Sequence, residues 1–461
     1  MLDKLYQIEP HFIQNLFISG FNFLAYKKRY GGNYQKYLKQ FRENKNLSID
    51  ELQKIQEKEF SALINYAYNH SKFYNQLYKN LKLPDKISDI NRLPIVNKEQ
   101  LRKNIKDVYT IEKKQGIVSK TGGTTGKSLE VLFTKDDMQK RFALLDYFRG
   151  WYGYQLGKKT AWFSGKALLT DRDIKKNRFW KTDYLYKVGY YSTYHIQERF
   201  LQYYLQNLID YQAEYMVGFP STMMEIAKYG IRNRINFPEN TIKAIFPTSE
   251  TITQEIRETL SSYFHTKVID QYASSEGAPF IYECEEGNLH IEMQSGIFEV
   301  LDNNNKPAQS GRLVVTSFTT GGTPLIRYDI GDSIELDSPD KKCSCGNNNP
   351  LVVKILGRID DYIYSPETGK INLGNISNTL KEVHGIVKFQ VIQNQLDEII
   401  IKIITDKKVF DEKSRKKFIQ NWQDRVGKNM HIDIREVDEI PVEKSGKFRL
   451  VKNNIKQLLD E

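Results

Sequence analysis

A glycine-rich loop, Ser119-Lys-Thr-Gly-Gly-Thr-Thr-Gly-Lys-Ser128, carries the strongest chemical signal in the sequence. Its three glycines allow positive φ angles and a close approach of the backbone to a ligand. Threonine hydroxyls and two lysines add hydrogen-bond donors and positive charge, a combination that suits a polyphosphate. The loop is not a Walker A motif, because that motif requires a glycine where this sequence has Thr121. A flexible hairpin turn without a ligand is the alternative interpretation.

Four further motifs follow the loop along the chain, and each ends in or contains polar side chains that could contact a nucleotide. They are Gln271-Tyr-Ala-Ser-Ser-Glu-Gly277, Leu325-Ile-Arg-Tyr-Asp-Ile-Gly-Asp332, Ile355-Leu-Gly-Arg-Ile-Asp-Asp361 and Glu443-Lys-Ser-Gly-Lys-Phe-Arg449. In this order and spacing, the five motifs closely resemble those of the adenylate-forming enzymes, the acyl-CoA synthetase and luciferase-like superfamily. Tyr68–Tyr74, Val217–Ser221 and Phe389–Val391 are similar to the phenylacetate-CoA ligase branch, and within it to the CapK-like proteins associated with capsular polysaccharide biosynthesis.

The resemblance implies that a carboxylate attacks the α-phosphate of ATP and yields an acyl-adenylate and pyrophosphate. Such chemistry depends mainly on positioning and charge neutralisation. The implied catalytic residues are Lys447, Thr124 and Glu276, with Glu276 also binding Mg²⁺ through its carboxylate. The implied phosphate-binding residues are those of the loop, namely Thr121, Gly122, Gly123, Thr124, Thr125, Gly126 and Lys127.

The same resemblance gives roles to residues outside the loop. Tyr272 is expected to stack on adenine, Ser275 to contact phosphate, and Asp332 and Arg358 to bind the ribose. Ser249 and Glu250 are expected near the acyl and adenine pockets, together with Gly218, Phe219 and Pro220. Asp360 matches the hinge about which a small C-terminal lid domain rotates between the two half-reactions.

The sequence leaves several alternatives for the acceptor in the second half-reaction. The segment Tyr364-Ser-Pro-Glu-Thr-Gly-Lys370 lacks the Arg-Gly pair that is common in relatives that use coenzyme A (CoA). The acceptor is therefore CoA, another thiol, an amine or a hydroxyl. Transfer of AMP to a cofactor or sugar, without a thioester, is the alternative reaction. The Lys447 and Glu276 assignments have their own alternative, namely a surface lysine and a solvated carboxylate.

All three cysteines of the chain fall into a second cluster of potential ligands. Cys284 and His290 precede the pair Cys343 and Cys345. Four such ligands in two short pairs suit a tetrahedral structural Zn²⁺ that joins the two ends of the intervening segment. The spacing is not that of a standard zinc finger, so reduced cysteines without a metal are the alternative.

The pattern of apolar residues predicts the elements that position these motifs. Residues 1–115 are predicted to be mainly helical, with Ser48 capping one helix. Residues 116–357 alternate short apolar strands with helices, which predicts a mainly parallel sheet, followed at about 288–350 by a small β-rich subdomain. Residues 358–461 are predicted to form the α+β lid domain. The fold class is thus α/β with a large N-terminal and a small C-terminal domain, and the resemblance implies that the small domain is mobile.

Composition and net charge indicate the class of protein, the kind of partner and the cellular compartment. The chain has 461 residues, 40% of them hydrophobic and 27% charged, which is ordinary for a globular protein. Its net charge of +11 favours anionic partners, but no nucleic-acid-binding module is recognisable. Three cysteines indicate a reducing compartment, hence the cytoplasm. The apolar segment His11–Tyr26, followed by Lys27, Lys28 and Arg29, is either a helix packed on the main body or one that lies on the inner membrane surface.

Overall fold

A computed structural model describes residues 6–120, 129–358, 362–367, 369–372, 379–380, 382–443 and 448–455. Over these residues the architecture is mixed α/β, with a large N-terminal and a small C-terminal domain, which confirms the predicted fold class. None of the helices in these ranges combines the length and the hydropathy needed to cross a bilayer.

The N-terminal part is helical, as predicted. Its helices are α1 (His11–Tyr30), α2 (Tyr34–Glu43), α3 (Ile49–His70), α4 (Lys72–Tyr78), α5 (Lys98–Lys103) and α6 (Ile105–Val108), with the short strand β1 (Val96–Asn97) before α5. Helix α3 shows why these segments fold as they do. Ser48 and Glu51 form a reciprocal capping box at its start. Apolar residues at helical spacing, among them Phe60 and Ile64, also predict this helix, and those two side chains are fully buried in the core.

A β-hairpin follows and carries the glycine-rich loop at its tip. Strands β2 (Ile117–Lys120) and β3 (Glu130–Phe133) pair in antiparallel register. The alternation of residues from Leu129 to Phe133 predicts a strand after the loop, and β3 confirms it. Helix α7 (Lys135–Gly150) begins at a Thr134–Asp137 capping box immediately after β3.

The central sheet has six strands in the order β5-β6-β4-β7-β8-β9, and all pairs except β5–β6 are parallel. The strands are β4 (Thr160–Ser164), β5 (Trp180–Asp183), β6 (Val188–Ser192), β7 (Tyr215–Gly218), β8 (Ala244–Pro247) and β9 (Lys267–Val268). The helices of this region are α8 (Asp171–Lys175), α9 (Glu198–Tyr211), α10 (Pro220–Arg232) and α11 (Gln254–Phe264). This arrangement confirms the predicted parallel sheet.

The β-rich part forms a second, mostly antiparallel sheet of eight strands. It contains β10 (Gln271–Tyr272), β11 (Ile281–Glu283), β12 (Leu289–Ile291), β13 (Gly296–Leu301), β14 (Ser310–Ser317), β15 (Tyr328–Leu336) and β16 (Leu351–Arg358), with β1 parallel to β15. Strand β10 follows β9 after two residues, so residues from both sheets meet at this junction.

The C-terminal domain contains the hairpin β17 (Tyr362–Ser365) and β18 (Gly369–Asn372) and a four-stranded sheet. That sheet has the order β21-β20-β19-β22, built from β19 (Ile386–Gln395), β20 (Glu398–Thr405), β21 (His431–Glu436) and β22 (Val451–Asn453). Helix α12 (Glu412–Val426) covers it with the fully buried Trp422. The sequence also predicts a helix near residues 373–383, most of which lie outside the described residues.

Candidate active site

The carboxyl ends of β7 and β8 form the first wall of the candidate site, where an open parallel sheet usually binds its ligand. Gly218 ends β7 at φ +132°, and a Cβ there would lie 1.8 Å from the carbonyl oxygen of Phe163, so only glycine fits. Ser249, just past β8, is exposed at φ +69°, a region that non-glycine residues rarely adopt. Both loops therefore have unusual backbone geometry at the sheet edge.

Glu250 joins these two loops. Its carboxylate accepts hydrogen bonds from the backbone N–H (3.0 Å) and the hydroxyl (2.9 Å) of Ser221, at the first turn of α10. A carboxylate at this place also interacts favourably with the helix dipole. The Gly-Phe-Pro-Ser segment and Glu250, which the sequence predicts to share a pocket region, are thus brought together.

Tyr272 and Asp332 form the second wall. The Tyr272 hydroxyl donates a 2.7 Å hydrogen bond to Oδ2 of Asp332, although the two residues are 60 positions apart. Asp332 lies in β15 and pairs in register with Arg358 at the end of β16; for Arg358 only the backbone is described. The three residues expected at adenine and ribose therefore belong to strands of the same eight-stranded sheet, where Tyr272 and Asp332 are in direct contact.

Glu276 and Ser275 lie in the loop after β10. Glu276 is buried, and its Oε1 lies 3.5 Å from the ammonium of Lys98. The exposed Ser275 accepts a 2.9 Å hydrogen bond at its carbonyl from the Ser119 hydroxyl. Since Ser119 belongs to β2, this bond fixes the base of the glycine-rich loop beside Glu276.

A buried arginine binds the backbone of the loop that follows β10. Arg141 of α7 donates to the carbonyl oxygens of Gly277 (2.9 Å) and Ala278 (3.1 Å) and to the Thr319 hydroxyl (2.8 Å). Burial lowers the pKa of this guanidinium to about 10, so it stays charged at neutral pH. Gly277 itself has φ +103°, and a Cβ there would clash with the Thr320 methyl at 2.4 Å.

The phosphate-binding loop residues Thr121, Gly122, Gly123, Thr124, Thr125, Gly126 and Lys127 lie outside the described residues, as do the hinge Asp360 and the lysine Lys447. Their flanks are described. Lys120 pairs with Glu130 across the hairpin at 3.2 Å. Phe448, directly after Lys447, brings its backbone N–H to 3.4 Å from Oε1 of Glu250. The C-terminal domain therefore contacts the large domain at the residue that also organises the β7 and β8 loops.

The four predicted metal ligands converge. Their ligand atoms all lie within 4.8 Å of one another, with Cys284 Sγ 3.7 Å from Cys343 Sγ and Cys345 Sγ 3.5 Å from His290 Nε2. All three cysteines are free thiols. The cluster joins the β11–β12 hairpin to the loop between β15 and β16, the two segments that the sequence predicts to be linked.

The chemistry of the cluster fits tetrahedral Zn²⁺. His290 Nδ1 lies 3.0 Å from the Asn349 carbonyl, which leaves Nε2 as the metal-facing nitrogen. Burial holds the pKa of His290 below its ordinary value and keeps the imidazole neutral. The same burial raises the pKa of Cys284, a cost to the thiolate that a bound cation would offset. Four protein ligands leave no open position, which is typical of a structural site.

Three residues of the site were not predicted. Lys98 and Arg141 are single basic residues in a chain with 68 of them, so nothing in the sequence distinguishes them. Ser221 belongs to a predicted motif, but its bond to Glu250 depends on two loops 29 residues apart. Only the α/β connectivity, which places successive βα loops at one edge, could have indicated that contact.

Comparison with known proteins agrees with this geometry. Residues 363–454 match the family described as the CapK C-terminal domain. The chain is 33% identical over 460 residues to Protein CapK of Staphylococcus aureus, covering 99% of this chain and 100% of that protein. It is 23% identical over 458 residues to phenylacetate-coenzyme A ligase of Thermus thermophilus, covering 89% and 98%.

A solved structure shares the fold. The crystal structure of 2-hydroxyisobutyryl-CoA ligase, in the postadenylation state with an acyl-AMP bound, superposes with a TM-score of 0.72 at 16% identity, covering 90% of this chain and 92% of the other. The chain therefore has the fold of adenylate-forming CoA ligases.

Proposed function

The chain belongs to the CapK family, and from this premise we propose that it is an ATP-dependent, AMP-forming carboxylate ligase. The observation that carries the proposal is the convergence of Tyr272, Asp332 and Glu276 beside the base of the glycine-rich loop, with Tyr272 and Asp332 joined at 2.7 Å. Asp332 is 60 residues from Tyr272, and Ser119 is 156 residues from Ser275, so three separate segments of the chain meet here, as expected for a site that binds one ligand.

In the first half-reaction, an oxygen of the carboxylate bonds to the α-phosphorus and pyrophosphate leaves. Asp332 accepts hydrogen bonds from the ribose, Tyr272 stacks on adenine, and the loop 121–127 holds the β- and γ-phosphates. Lys447 neutralises the charge that builds between the carboxylate and the α-phosphate. The contact between Phe448 and Glu250 supports this assignment, because it brings the neighbour of Lys447 to the sheet edge.

We assign Mg²⁺ to Glu276, whose buried carboxylate supplies the hard oxygen that this ion prefers. When bound, the ion would neutralise phosphate charge. Lys98, 3.5 Å from the same carboxylate, holds its Oε1 in place.

In the second half-reaction, we propose that an acceptor attacks the acyl carbonyl, and AMP leaves with the bonding electrons of the acyl–oxygen bond. CoA is the first acceptor to test, since the Thermus thermophilus relative is a CoA ligase. The resemblance to capsule-associated proteins adds uronic acids and amino acids to the substrates worth testing. Rotation about Asp360 would exchange Lys447 for the acceptor.

Product analysis with ATP labelled at its α-phosphate tests the proposal. We expect labelled AMP that accumulates only with both acid and acceptor, and a labelled acyl-adenylate when the acceptor is omitted. Label that becomes covalently attached to the acceptor would instead establish nucleotidyl transfer and overturn the ligase assignment.

We also propose that Cys284, His290, Cys343 and Cys345 hold a structural Zn²⁺. The support is the convergence of their ligand atoms within 4.8 Å and the fixed orientation of the imidazole.

A further inference from the structure

Helix α1 is amphipathic in the reverse sense of an ordinary surface helix. Four of its six buried side chains are polar: Gln14, Asn15, Ser19 and Asn22. The opposite side carries large apolar residues that remain exposed, namely Phe12, Leu16, Phe17, Phe21, Phe23 and Leu24. Helices normally direct their apolar stripe towards the core, so this orientation requires a separate explanation.

Specific hydrogen bonds fix the polar side against the edge of the parallel sheet. The Asn22 amide donates to Asp183 Oδ2 (2.7 Å) and to the Tyr190 hydroxyl (2.9 Å). The Asn15 amide accepts from the backbone of Thr182 at 3.1 Å. Turning the helix over would leave these buried groups without partners, which is costly. The outward direction of the apolar side is therefore built into the fold.

At one end of the helix, an ion-pair cluster adds to this fixation. The fully buried Lys181 lies 2.7 Å from Asp173, which also contacts Nδ1 of His11 at 2.9 Å. The α1 helix is thus attached by polar contacts to β5 and α8. Ile18 and Tyr26 are the two apolar side chains among its six buried residues.

The exposed apolar side is large. Its six side chains keep 38% to 71% of their area accessible, with Phe21 at the upper limit. At about 200 Å² for each large apolar side chain, this amounts to roughly 700 Å², more than the largest apolar patch of most monomers. Ile8, Tyr184 and Leu185 are also exposed, on the segments that flank and support the helix.

The positive charge beside the exposed apolar side of α1 favours an anionic partner. Helix α1 contains no Asp or Glu, and the exposed Lys27 and Lys28 follow the apolar residues on the same side. A second copy of this chain would bring the same cations and another net charge of +11. An anionic lipid surface complements both features, since apolar side chains enter the acyl boundary while lysines contact headgroups.

We propose that α1 docks this protein on the surface of an anionic membrane, with Phe12, Leu16, Phe17, Phe21, Phe23 and Leu24 inserted and Lys27 and Lys28 at the headgroups. The helix lies in the plane of the interface, consistent with its polar underside and its attachment to the sheet. Docking is independent of catalysis, because these side chains lie outside the candidate active site.

Vesicle flotation of the full chain tests the proposal. We expect the protein to float with phosphatidylcholine vesicles that contain phosphatidylglycerol, and less with pure phosphatidylcholine. The double variant Phe21→Gln/Leu24→Gln should lower the floated fraction about tenfold or more. Lys27→Gln/Lys28→Gln should abolish the preference for phosphatidylglycerol. Ile231→Gln, which changes an apolar residue 53% exposed on α10, is the matched control and should float as the wild type does.

Two results would overturn the proposal. The first is a failure of the flotation test, in which either the wild type stays at the bottom of the gradient with both vesicle types or the Phe21→Gln/Leu24→Gln variant floats as well as the wild type. The second is a wild-type dimer in sedimentation velocity that this variant converts to a monomer, without any flotation, which would make a second copy the occupant. Neither readout requires substrate, so failure here is distinct from failure of the ligase assignment.

Discussion

Substituting Cys343 by serine tests whether a metal joins the two ends of the β-rich sheet. Cys343 and Cys284 are 59 residues apart in sequence, and their sulfurs lie 3.7 Å apart. A cross-link that closes a loop of this length restricts the unfolded chain by about 4 kcal/mol at 25 °C. In the large N-terminal domain, of about 350 residues, the unfolding entropy of about 2.1 cal/mol/K per residue converts this loss into a fall of about 5 °C in the midpoint of thermal unfolding.

The assay combines metal analysis with calorimetry. We expect the purified wild type to contain one zinc per chain, and Cys343→Ser to lose zinc and stability together. Chelation of the wild type should reproduce the lower midpoint, whereas chelator should leave the variant unchanged. Lys342→Ser, at the exposed neighbouring position, is the control and should retain both metal and midpoint. A metal-free wild type, or a Cys343→Ser variant as stable as the wild type, would refute the reasoning.

Three other substitutions examine the site and the core. Tyr272→Phe removes a hydrogen bond to the Asp332 carboxylate worth about 1.5 kcal/mol, so the KM for ATP should rise about tenfold with kcat little changed; an unchanged KM would exclude a role for this pair in nucleotide binding. Glu250→Ala should lower the rate of adenylate formation about tenfold because the contact with the C-terminal domain is lost. The control Glu255→Ala, which breaks a partly exposed ion pair on α11, should keep the wild-type rate. Equal rates for the two variants would contradict a role for the Glu250 contact in adenylate formation. Burial raises the pKa of Asp146 to about 6, so the folded state binds the extra proton and stability falls as pH rises from about 4 to 6. Relative to wild type, Asp146→Asn should gain up to about 3 kcal/mol across that range in urea titrations, and a parallel pH profile for the two proteins would contradict this.

Much of the fold follows from local sequence patterns. The Ser48 cap and the 3.6-residue stripe predict α3, and short apolar runs separated by helical segments predict the parallel sheet. The four potential zinc ligands could be grouped because they include every cysteine of the chain. Each of these signals is either periodic or rare, so it stands out in one sequence.

Contacts between distant segments could not be predicted in this way. Lys98 and Glu276 are separated by 178 residues, and neither has a distinctive sequence context for the other. The orientation of α1 is a sharper example. Its apolar residues allow two interpretations, a helix packed on the main body or one that lies on a membrane. The helix does pack on the main body, but it does so through the polar residues Asn15 and Asn22. Their partners on β5 are more than 160 residues away, so only the tertiary structure determines which side is covered.

Carboxylate-dependent exchange of pyrophosphate into ATP tests the central assignment most directly, because it requires a reversible adenylate and no acceptor. The acids to supply are amino acids, aryl acids, short fatty acids and uronic acids. We predict exchange with one of these classes, lost in Lys447→Ala although that variant still binds ATP, and retained in Lys452→Ala as the control. Exchange that is undiminished in Lys447→Ala, or absent with every acid in a protein that binds ATP, would contradict the account.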